Sequence, residues 1–509
     1  MRLAELASHL SDATLLGDGD VNVSRLIYDS REVRPGSMFF AIPGLAADGH
    51  NYLQQAIEAG VAAVAVEAAR EAIWRPIFEN SPSPALLVDN TRSGLAVAAA
   101  ALNGFPARKL GIIGITGTDG KTSLSHLVDH ILTASGRRSG LITTAECRVG
   151  NMKLPETGRF TTPEAPELQA MLAQVVNAGG QWAVLEATSH GLAQHRLDCC
   201  EVDIAAVTVV GSDHLDFHGS REAYVQAKGR LFQFLDESVG KGITKTAVLN
   251  FDDPIHETYA ALTRARVVSY GVDLDADFRA TSVVPGPWRT AFNLTSGDVS
   301  LEADVATPAF FSVYNALAAT AICVSAGMDL ASVIPGLTTW KGAPGRMELI
   351  DEGQPFAVVV DFAHAPDSLK RVLGVLRDRS RGRLIAVFGC IGERDRDRRF
   401  AMGVVAASDA DFTIVTDDNP YTEDRDAIIA EIVSGLEAAG KRAGHDFAVI
   451  PDRREAIAQA IGMAVDEDTV LLAGKGHETQ VHLPGGAYDC DDREVARTVL
   501  HDLLPGSSV

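Results

Sequence analysis

The sequence is poor in cysteine and shows no pattern in the few it has. The six, at 147, 199, 200, 323, 390 and 490, include no Cys-x-x-Cys pair. That excludes a disulfide framework and a cysteine zinc site, and it fits a reducing compartment. Positive charge is also short, with 45 Lys and Arg against 67 Asp and Glu and a formal charge of −22. Nucleic acids and anionic membranes need a basic face, so neither is expected as a partner. A local basic site for a phosphate-rich small molecule stays compatible with that charge. No run approaches the ~20 apolar residues of a membrane helix, and Met1-Arg2-Leu3-Ala4-Glu5 does not read as the start of a signal peptide. Low-complexity tracts and short repeats are missing as well. What remains, 46% hydrophobic and 22% charged residues, is the balance of a soluble globular protein, expected in the cytoplasm. A length of 509 residues exceeds one ordinary core and suggests three domains.

The most informative stretch is Gly114-Ile115-Thr116-Gly117-Thr118-Asp119-Gly120-Lys121-Thr122-Ser123. Residues 110–113 before it read as a buried strand. After it, Leu124, Leu127, Val128, Ile131 and Leu132 recur at helical spacing. A strand, a glycine turn and a helix start form a phosphate cradle, because the first N–H groups of the helix are unpaired and its dipole is positive there. Lys121 can reach β- and γ-phosphates, and a hydroxyl of Thr122 or Ser123 can hold Mg²⁺. Gly114 stands one place early for the general spacing of four residues between the glycines.

Around this loop the chain reads as α/β throughout. Residues 1–107 form a small module with strands near 23–28 and 38–42, a polar turn at Asp29-Ser30-Arg31 and a short helix stopped by Gly60. Residues 108–345 alternate strand and helix around the phosphate loop, so a parallel sheet is expected. Strands near 183–185, 204–210 and 247–250 each run into polar residues, where open parallel sheets bind ligands. Residues 346–509 form a second, Rossmann-like α/β unit with strands near 356–360, 384–388, 412–416, 447–450 and 470–473. Four of its strand ends carry charged, glycine-rich loops: Asp361 to Asp367, Gly389 to Arg396, Asp417 to Tyr421 and Gly474 to Glu478.

Several residues in these loops suit phosphoryl chemistry. Glu186 and His214 follow buried strands on the edge that carries the phosphate loop, and a carboxylate and an imidazole beside a hydroxyl suit Mg²⁺. Arg196 can fork onto a carboxylate or phosphate, with His190, Gln194 and His195 as nearby donors. On residue type alone, Lys228 reads as an ordinary surface lysine and Arg196 equally as a solvated one.

Taken in order, these motifs resemble the Mur ligase family of peptidoglycan synthesis and, within it, the MurE type that adds the third amino acid of the stem peptide. The resemblance runs from Asp29-Ser30-Arg31 to Asp491-Asp492-Arg493-Glu494. It rests on Thr116-Gly117-Thr118-Asp119-Gly120-Lys121-Thr122, Thr161-Thr162-Pro163, Thr188-Ser189-His190-Gly191-Leu192, Asp213-His214-Leu215-Asp216-Phe217-His218-Gly219, Tyr314-Asn315-Ala316-Leu317, Pro344-Gly345-Arg346-Met347-Glu348, Asp418-Asn419-Pro420 and Gly474-Lys475-Gly476-His477-Glu478. The early Gly114 then has its explanation, since the family's loop is counted from Thr116.

The resemblance implies three domains that bind in turn the uridine nucleotide, ATP and the incoming amino acid. It implies an ATP-dependent amide ligase that phosphorylates the D-glutamate carboxylate of UDP-N-acetylmuramoyl-L-alanyl-D-glutamate. The amine of a free amino acid then attacks the acyl phosphate. Carried over by position, Ser30 contacts the UDP part. Gly117, Thr118, Asp119, Gly120, Lys121, Thr122, Ser123, Asn315, Arg346 and Asp361 hold ATP, with His364 in the adjoining loop. Thr161, Thr162, Thr188, Gln194 and Arg196 hold the muramoyl-dipeptide. Arg394, Asp418, Asn419, Pro420, Tyr421, Gly474 and Glu478 form the amino-acid pocket. Thr122, Glu186, His214 and Lys228, the last as a carbamate, serve Mg²⁺, and Lys121, Lys228 and His214 are the catalytic set.

Three positions depart from the family pattern. Thr188 stands for Ser, Ala309-Phe310-Phe311-Ser312 stands for Gly-x-Phe-Asn, and Tyr421 stands where diaminopimelate enzymes carry an Arg. Tyr421 cannot pair with a distal carboxylate, which weakens the case for diaminopimelate unless another Arg reaches the pocket and leaves lysine and ornithine beside it as the expected third residue. A monomer is expected. Other readings are a folylpolyglutamate-type ligase, which shares the phosphate loop, and a non-catalytic sugar-nucleotide sensor. A regulatory GTPase would need an Asn-Lys-x-Asp motif, and the sequence has none.

Overall fold

The computed structural model describes residues 1–44, 47–80, 83–154, 161–211, 213–307, 309–393 and 396–503. The first sheet is built from β1 (Thr14–Leu16), β2 (Arg25–Ile27), β3 (Ser37–Phe40), β4 (Ala63–Glu67) and β5 (Ala85–Val88), in the order β1-β5-β4-β3-β2. All neighbours are parallel except β1 with β5. The period of two sorts its side chains: Met38, Phe40, Ala63 and Ala65 face one core, Phe39, Val64 and Val66 the other. Burial on both faces explains why these strands are uninterrupted apolar runs. The helix Thr91–Leu102 packs Leu95, Ala98 and Ala99 on the first of these faces. Asn90 caps it by accepting the Arg92 and Ser93 N–H groups at 2.9 and 3.2 Å.

The central sheet contains β6 (Gly111–Thr116), β7 (Ser139–Ile142), β8 (Cys147–Val149), β9 (Met152–Lys153), β10 (Trp182–Glu186), β11 (Ile204–Val207), β12 (Thr246–Asn250) and β13 (Arg266–Gly271). Their order is β13-β12-β11-β6-β10-β7-β8-β9. The strands from β13 to β7 run parallel, and the β8 and β9 hairpins are antiparallel. From β6 the chain crosses to β7 on one side, and from β10 it crosses to β11 on the other. The crevice at the carboxyl end of β6 is therefore the topological switch point at which such sheets bind ligands. The sequence reading names no strand between 251 and 345. The structure adds β13 there, and then β14 (Phe278–Pro285), β15 (Arg289–Ser296) and β16 (Val299–Ala306).

The last sheet comprises β17 (Glu348–Ile350), β18 (Ala357–Asp361), β19 (Leu384–Phe388), β20 (Phe412–Val415), β21 (Phe447–Val449) and β22 (Thr469–Ala473), ordered β17-β18-β22-β19-β20-β21. Only the β17 edge is antiparallel. Val359, Ala386 and Leu471 face one core, and Val358, Val360, Ile385 and Val470 the other. A hairpin, β23 (Gln480–Leu483) with β24 (Gly486–Asp489), follows.

The three sheets lie within the three expected sequence ranges, but the chain packs as two compact units. One is Met1–Thr281 with Leu294–Leu301 and Tyr314–Gly336. The other is Ser282–Asn293 with Glu302–Val313 and Leu337–Val509. In the first unit, the helix behind the first sheet is tied to the segment after β10. Ser93 Oγ donates to Asp198 at 3.2 Å, and Asn90 Nδ2 lies 3.4 Å from His195 Nε2. Among the described residues no helix is long and apolar enough to cross a membrane.

Candidate active site

The phosphate loop is shaped by positions that only glycine tolerates. Gly117 has φ +146°, and a Cβ there would overlap the Thr208 hydroxyl. Gly120, at φ +82°, precedes the 14-residue helix Lys121–Ala134, and a Cβ on it would meet Asn315 Oδ1 at 3.0 Å. Asn315 is thus at the loop. The loop is pinned from outside by residues that sequence reasoning missed. Thr208 Oγ1 donates to Asp119 O at 2.6 Å, and the Tyr224 hydroxyl lies 2.9 Å from Thr118 Oγ1, which accepts the Gly211 N–H at 2.9 Å. No periodic or motif signal marks Thr208 or Tyr224; only the fold brings them here.

Two lysines converge on one carbonyl. Lys121 Nζ donates to Gly117 O at 3.1 Å and Thr118 O at 2.9 Å, and Lys228 Nζ donates to Gly117 O at 2.6 Å. Lys228 lies in the helix Arg221–Glu237 and is only 1% exposed. The surface-lysine reading is overturned, because the helix turns this face inward along with Tyr224, Leu231 and Phe232. Burial drives the Lys228 amine well below the usual lysine range, and the charge of Lys121 adds to that.

Opposite them, Thr122 Oγ1 donates to both Glu186 oxygens at 3.0 Å. Thr144, also missed, gives Glu186 its N–H at 3.1 Å and its hydroxyl at 3.2 Å. A buried carboxylate with hydroxyls offers the hard oxygen donors that Mg²⁺ takes, and a few protein ligands suffice when phosphates supply the rest. Among the described residues no cluster of three His, Cys, Asp or Glu side chains forms a ready-made metal cage. His214, at φ +52°, is half-exposed. Its pKa is lowered by burial, with Lys121 and Lys228 adding to the effect, so its imidazole belongs to the same charged cluster. Its ring centroid is 4.6 Å from that of His190, whose pKa burial and the neighbouring His214 and His218 push down to about 4.

A second group sits beside β10. Thr162 Oγ1 donates to Glu186 O at 2.9 Å and lies 2.9 Å from Thr188 Oγ1, which caps the helix Ser189–Ala193 by accepting the Gly191 N–H. Arg196 is buried; its guanidinium donates to Thr162 O at 2.8 Å and Gln194 Oε1 at 2.6 Å. The solvated-arginine alternative therefore falls. Thr161 and Ser123 are half-buried neighbours of Thr162 and Thr122. Ser30, in the single helical turn Ser30–Glu32 that follows β2, is buried and donates to Gln55 Oε1 at 3.2 Å.

The other unit gathers the remaining residues at the carboxyl edge of its own sheet. Asp361 accepts the Met347 N–H at 2.7 Å and the Ala363 N–H at 2.8 Å. The Arg346 guanidinium lies 4.4 Å over the Phe362 ring, and His364 Nδ1 is 2.8 Å from Phe362 O. Lys475, fully buried, donates to Glu478 at 2.7 Å and Asn419 Oδ1 at 3.2 Å, while Asn419 donates to Glu478 at 2.8 Å. Asp418 is buried with neither oxygen hydrogen-bonded. Burial raises its pKa to about 6 against the pull of Lys475. Gly474, at φ +107°, leaves room for it, since a Cβ would stand 2.8 Å from Asp418 Oδ2.

Pro420 closes this loop under Gly392, and Tyr421, at φ +54°, stacks on His482 with centroids 5.4 Å apart. Beneath, the wholly buried Arg453–Asp492 pair pins Asp417 O and Ala473 O, each at 2.8 Å. Arg453 gave no sequence signal beyond its charge. Arg394 lies outside the described residues.

The sequence matches three family models in order: "Mur ligase family, catalytic domain" over residues 22–102, "Mur ligase middle domain" over 115–323 and "Mur ligase, glutamate ligase domain" over 345–476. The chain belongs to the Mur ligase family. This Mur ligase is 41% identical to a UDP-N-acetylmuramyl-tripeptide synthetase of Roseiflexus sp. (strain RS-1), over 99% of each chain. It is 38% identical to a UDP-N-acetylmuramoyl-L-alanyl-D-glutamate–2,6-diaminopimelate ligase of Geobacillus thermodenitrificans (strain NG80-2), over 99% of this chain and 100% of the relative. A solved structure of a UDP-N-acetylmuramoyl-L-alanyl-D-glutamate–2,6-diaminopimelate ligase superposes with a TM-score of 0.67 at 30% identity, over 99% of both chains. The folylpolyglutamate-type and sensor readings lose their ground to this full-length match with named tripeptide ligases.

Proposed function

We propose that this Mur ligase joins the third stem amino acid to UDP-N-acetylmuramoyl-L-alanyl-D-glutamate at the expense of ATP. The observation that carries the reading is the convergence of Lys121 and Lys228 on the Gly117 carbonyl, opposite Glu186 and Thr122. ATP lies with its phosphates over the loop Gly117 to Ser123, and Lys121 swings from the loop carbonyls to the transferred phosphoryl group, where negative charge develops. Asn315, Arg346 and Asp361 stand at the positions where the family contacts ATP.

Thr162, Thr188, Gln194 and Arg196 hold the dipeptide so that a D-glutamate carboxylate oxygen attacks the γ-phosphorus in line. The products of that step are ADP and an acyl phosphate. The incoming amine attacks the acyl carbon and loses a proton, and phosphate leaves. Lys228, with its amine kept neutral by burial, adds to CO₂ and releases a proton to become a carbamate. Thr122, Glu186, His214 and that carbamate hold Mg²⁺, which when bound neutralises charge on the phosphoryl oxygens.

The amino-acid end is read from Asp418, Asn419, Gly474 and Glu478, with Tyr421 as the specificity position. The buried Asp418, the partly exposed Glu478 and a stacked aromatic favour a distal ammonium, as in lysine or ornithine. The diaminopimelate named for several relatives would need another cation for its distal carboxylate. Phosphate release with ATP, the UDP-muramoyl dipeptide and each of the three amino acids tests both levels. No release with any of them overturns the function, and exclusive turnover of diaminopimelate overturns the Tyr421 argument. ATP and the nucleotide substrate are cytoplasmic metabolites, so the enzyme is placed in the cytoplasm, and a monomer is expected by light scattering.

A further inference from the structure

Glu164 stands immediately before the helix Ala165–Asn177, yet its side chain makes no capping hydrogen bond to that helix. It reaches instead toward two guanidinium groups that come from different sheets. Arg196, after β10, lies 2.8 Å from it. Arg92, in the first turn of the helix behind the first sheet, lies 3.9 Å from it. All three side chains are at least mostly buried, with exposures of 6% for Arg196, 11% for Glu164 and 21% for Arg92. The arginines sense each other: burial lowers the pKa of Arg196, Glu164 opposes that and Arg92 reinforces it. The neighbouring carboxylate, Glu167, is engaged by the Tyr28 hydroxyl at 3.2 Å. Two cations thus converge where water is scarce, and Glu164 is the carboxylate that lies between them.

The place matters because Arg196 also donates to Thr162 O, beside the Thr162–Thr188 hydroxyl pair. On the function proposed above, this is where the muramoyl-dipeptide lies. D-Glutamate brings two carboxylates there; the reaction consumes one, and the other stays anionic throughout. A guanidinium pair presents one geometry to any carboxylate, whether it belongs to the protein or to the substrate.

We propose that Arg92 is a substrate-binding residue and that Glu164 is a built-in competitor, which the unphosphorylated D-glutamate carboxylate displaces from the Arg92–Arg196 pair. Glu164 neutralises the arginines between turnovers and weakens the hold on substrate and product alike. The substrate then bridges two segments through one anion, with Arg92 from the helix behind the first sheet and Arg196 from the stretch after β10.

Calorimetric titration of UDP-N-acetylmuramoyl-L-alanyl-D-glutamate into the full-length enzyme tests this without relying on turnover. Removing the competing charge in Glu164→Gln should tighten binding about five- to tenfold, and Arg92→Gln should weaken it about tenfold. Glu164→Ala should change affinity in the same direction as the isosteric variant, and thermal melting checks that each variant is folded. With an analogue whose unphosphorylated carboxylate is a primary amide, the gain from Glu164→Gln should vanish. Unchanged or weaker binding by both folded Glu164 variants overturns the competitor, and a gain that persists with the amide assigns the displacement to another group and overturns it too. Unchanged binding by Arg92→Gln removes Arg92 from the site. If the wild-type enzyme itself fails to bind the dipeptide substrate, it is the proposed function that fails.

Discussion

Two lysines bury their amines completely, one at each ligand-bearing sheet edge, and their surroundings are opposites. Lys475 is enclosed by Glu478, Asn419 and, at 4.0 Å, Asp418. Lys228 donates to a carbonyl, has a second lysine amine on the same oxygen, and among the described residues forms no ion pair with a carboxylate. A buried charge is tolerated when paired and expelled when not. The first environment therefore stores an ammonium as part of the structure. The second favours a neutral amine, which is reactive. The difference teaches that burial of a lysine says little by itself; the sign of its neighbours decides whether it is a strut or a reagent.

The sharpest way to break this comparison is to remove each amine in turn. Lys228→Met should lower turnover by about a hundredfold or more, the scale of losing a charge-stabilising group in an active site. Its melting temperature should be unchanged or higher, because an unpaired buried amine is removed. Added bicarbonate should not restore activity. Near-normal turnover in a phosphate-release assay would take the carbamate out of the mechanism.

Lys475→Met should do the reverse in stability, leaving the buried Asp418 and the partly exposed Glu478 without their cation at a cost of about 3–5 kcal/mol. Denaturant unfolding measures it, and a loss below about 1 kcal/mol would show that the cluster relaxes or takes up protons instead.

The two edges should also respond to acid with opposite signs. Asp418 has a folded pKa of about 6, above the ordinary aspartate value of 3.8. The folded state therefore binds more protons between these values, and the penalty of its charge is relieved as pH falls through that window. His190 is displaced downward, to about 4 from 6.5. There the unfolded state binds more protons, so that edge loses stability as pH falls below 6.5. Unfolding curves at pH 4.5 and 7 for wild type, Asp418→Asn and His190→Asn should show the acid-side gain missing in the first variant and the acid-side loss reduced in the second. Parallel curves for all three would end the distinction.

The smallest expected effect is at the family departure Thr188→Ser. It keeps the hydroxyl that accepts the Gly191 N–H and meets Thr162. Turnover should stay within about threefold of wild type, whereas Thr188→Val, which loses the cap, should cost about 1 kcal/mol of stability. Equal behaviour of the two would mean that the hydroxyl is idle.

Much of the phosphate edge was legible because its requirements are local. Gly117 and Gly120 need backbone conformations other residues avoid, Lys121 and Thr122 must start the helix, and Glu186 must end a strand. Lys228 was legible only through resemblance, since a lysine in a polar helix gives no sign of facing inward. Thr208, Tyr224 and Thr144 carried no signal at all, because each reaches the site from another strand or helix. The long strands β14 to β16 went unread, and so did the union of the first two sheets into one compact unit.

By itself, then, the sequence determined the chemistry that contiguous residues can specify: the phosphate cradle, the α/β alternation, the strand-end loops and the family they add up to. Only the tertiary structure decided which charges meet. It put Lys228 beside Lys121 on one carbonyl with no ion-pair partner among the described residues, gave Lys475 its acidic partners, and set Glu164 between two arginines from separate segments of the chain. Backbone conformation is governed by neighbours in sequence, whereas the fate of a charge is governed by neighbours in space.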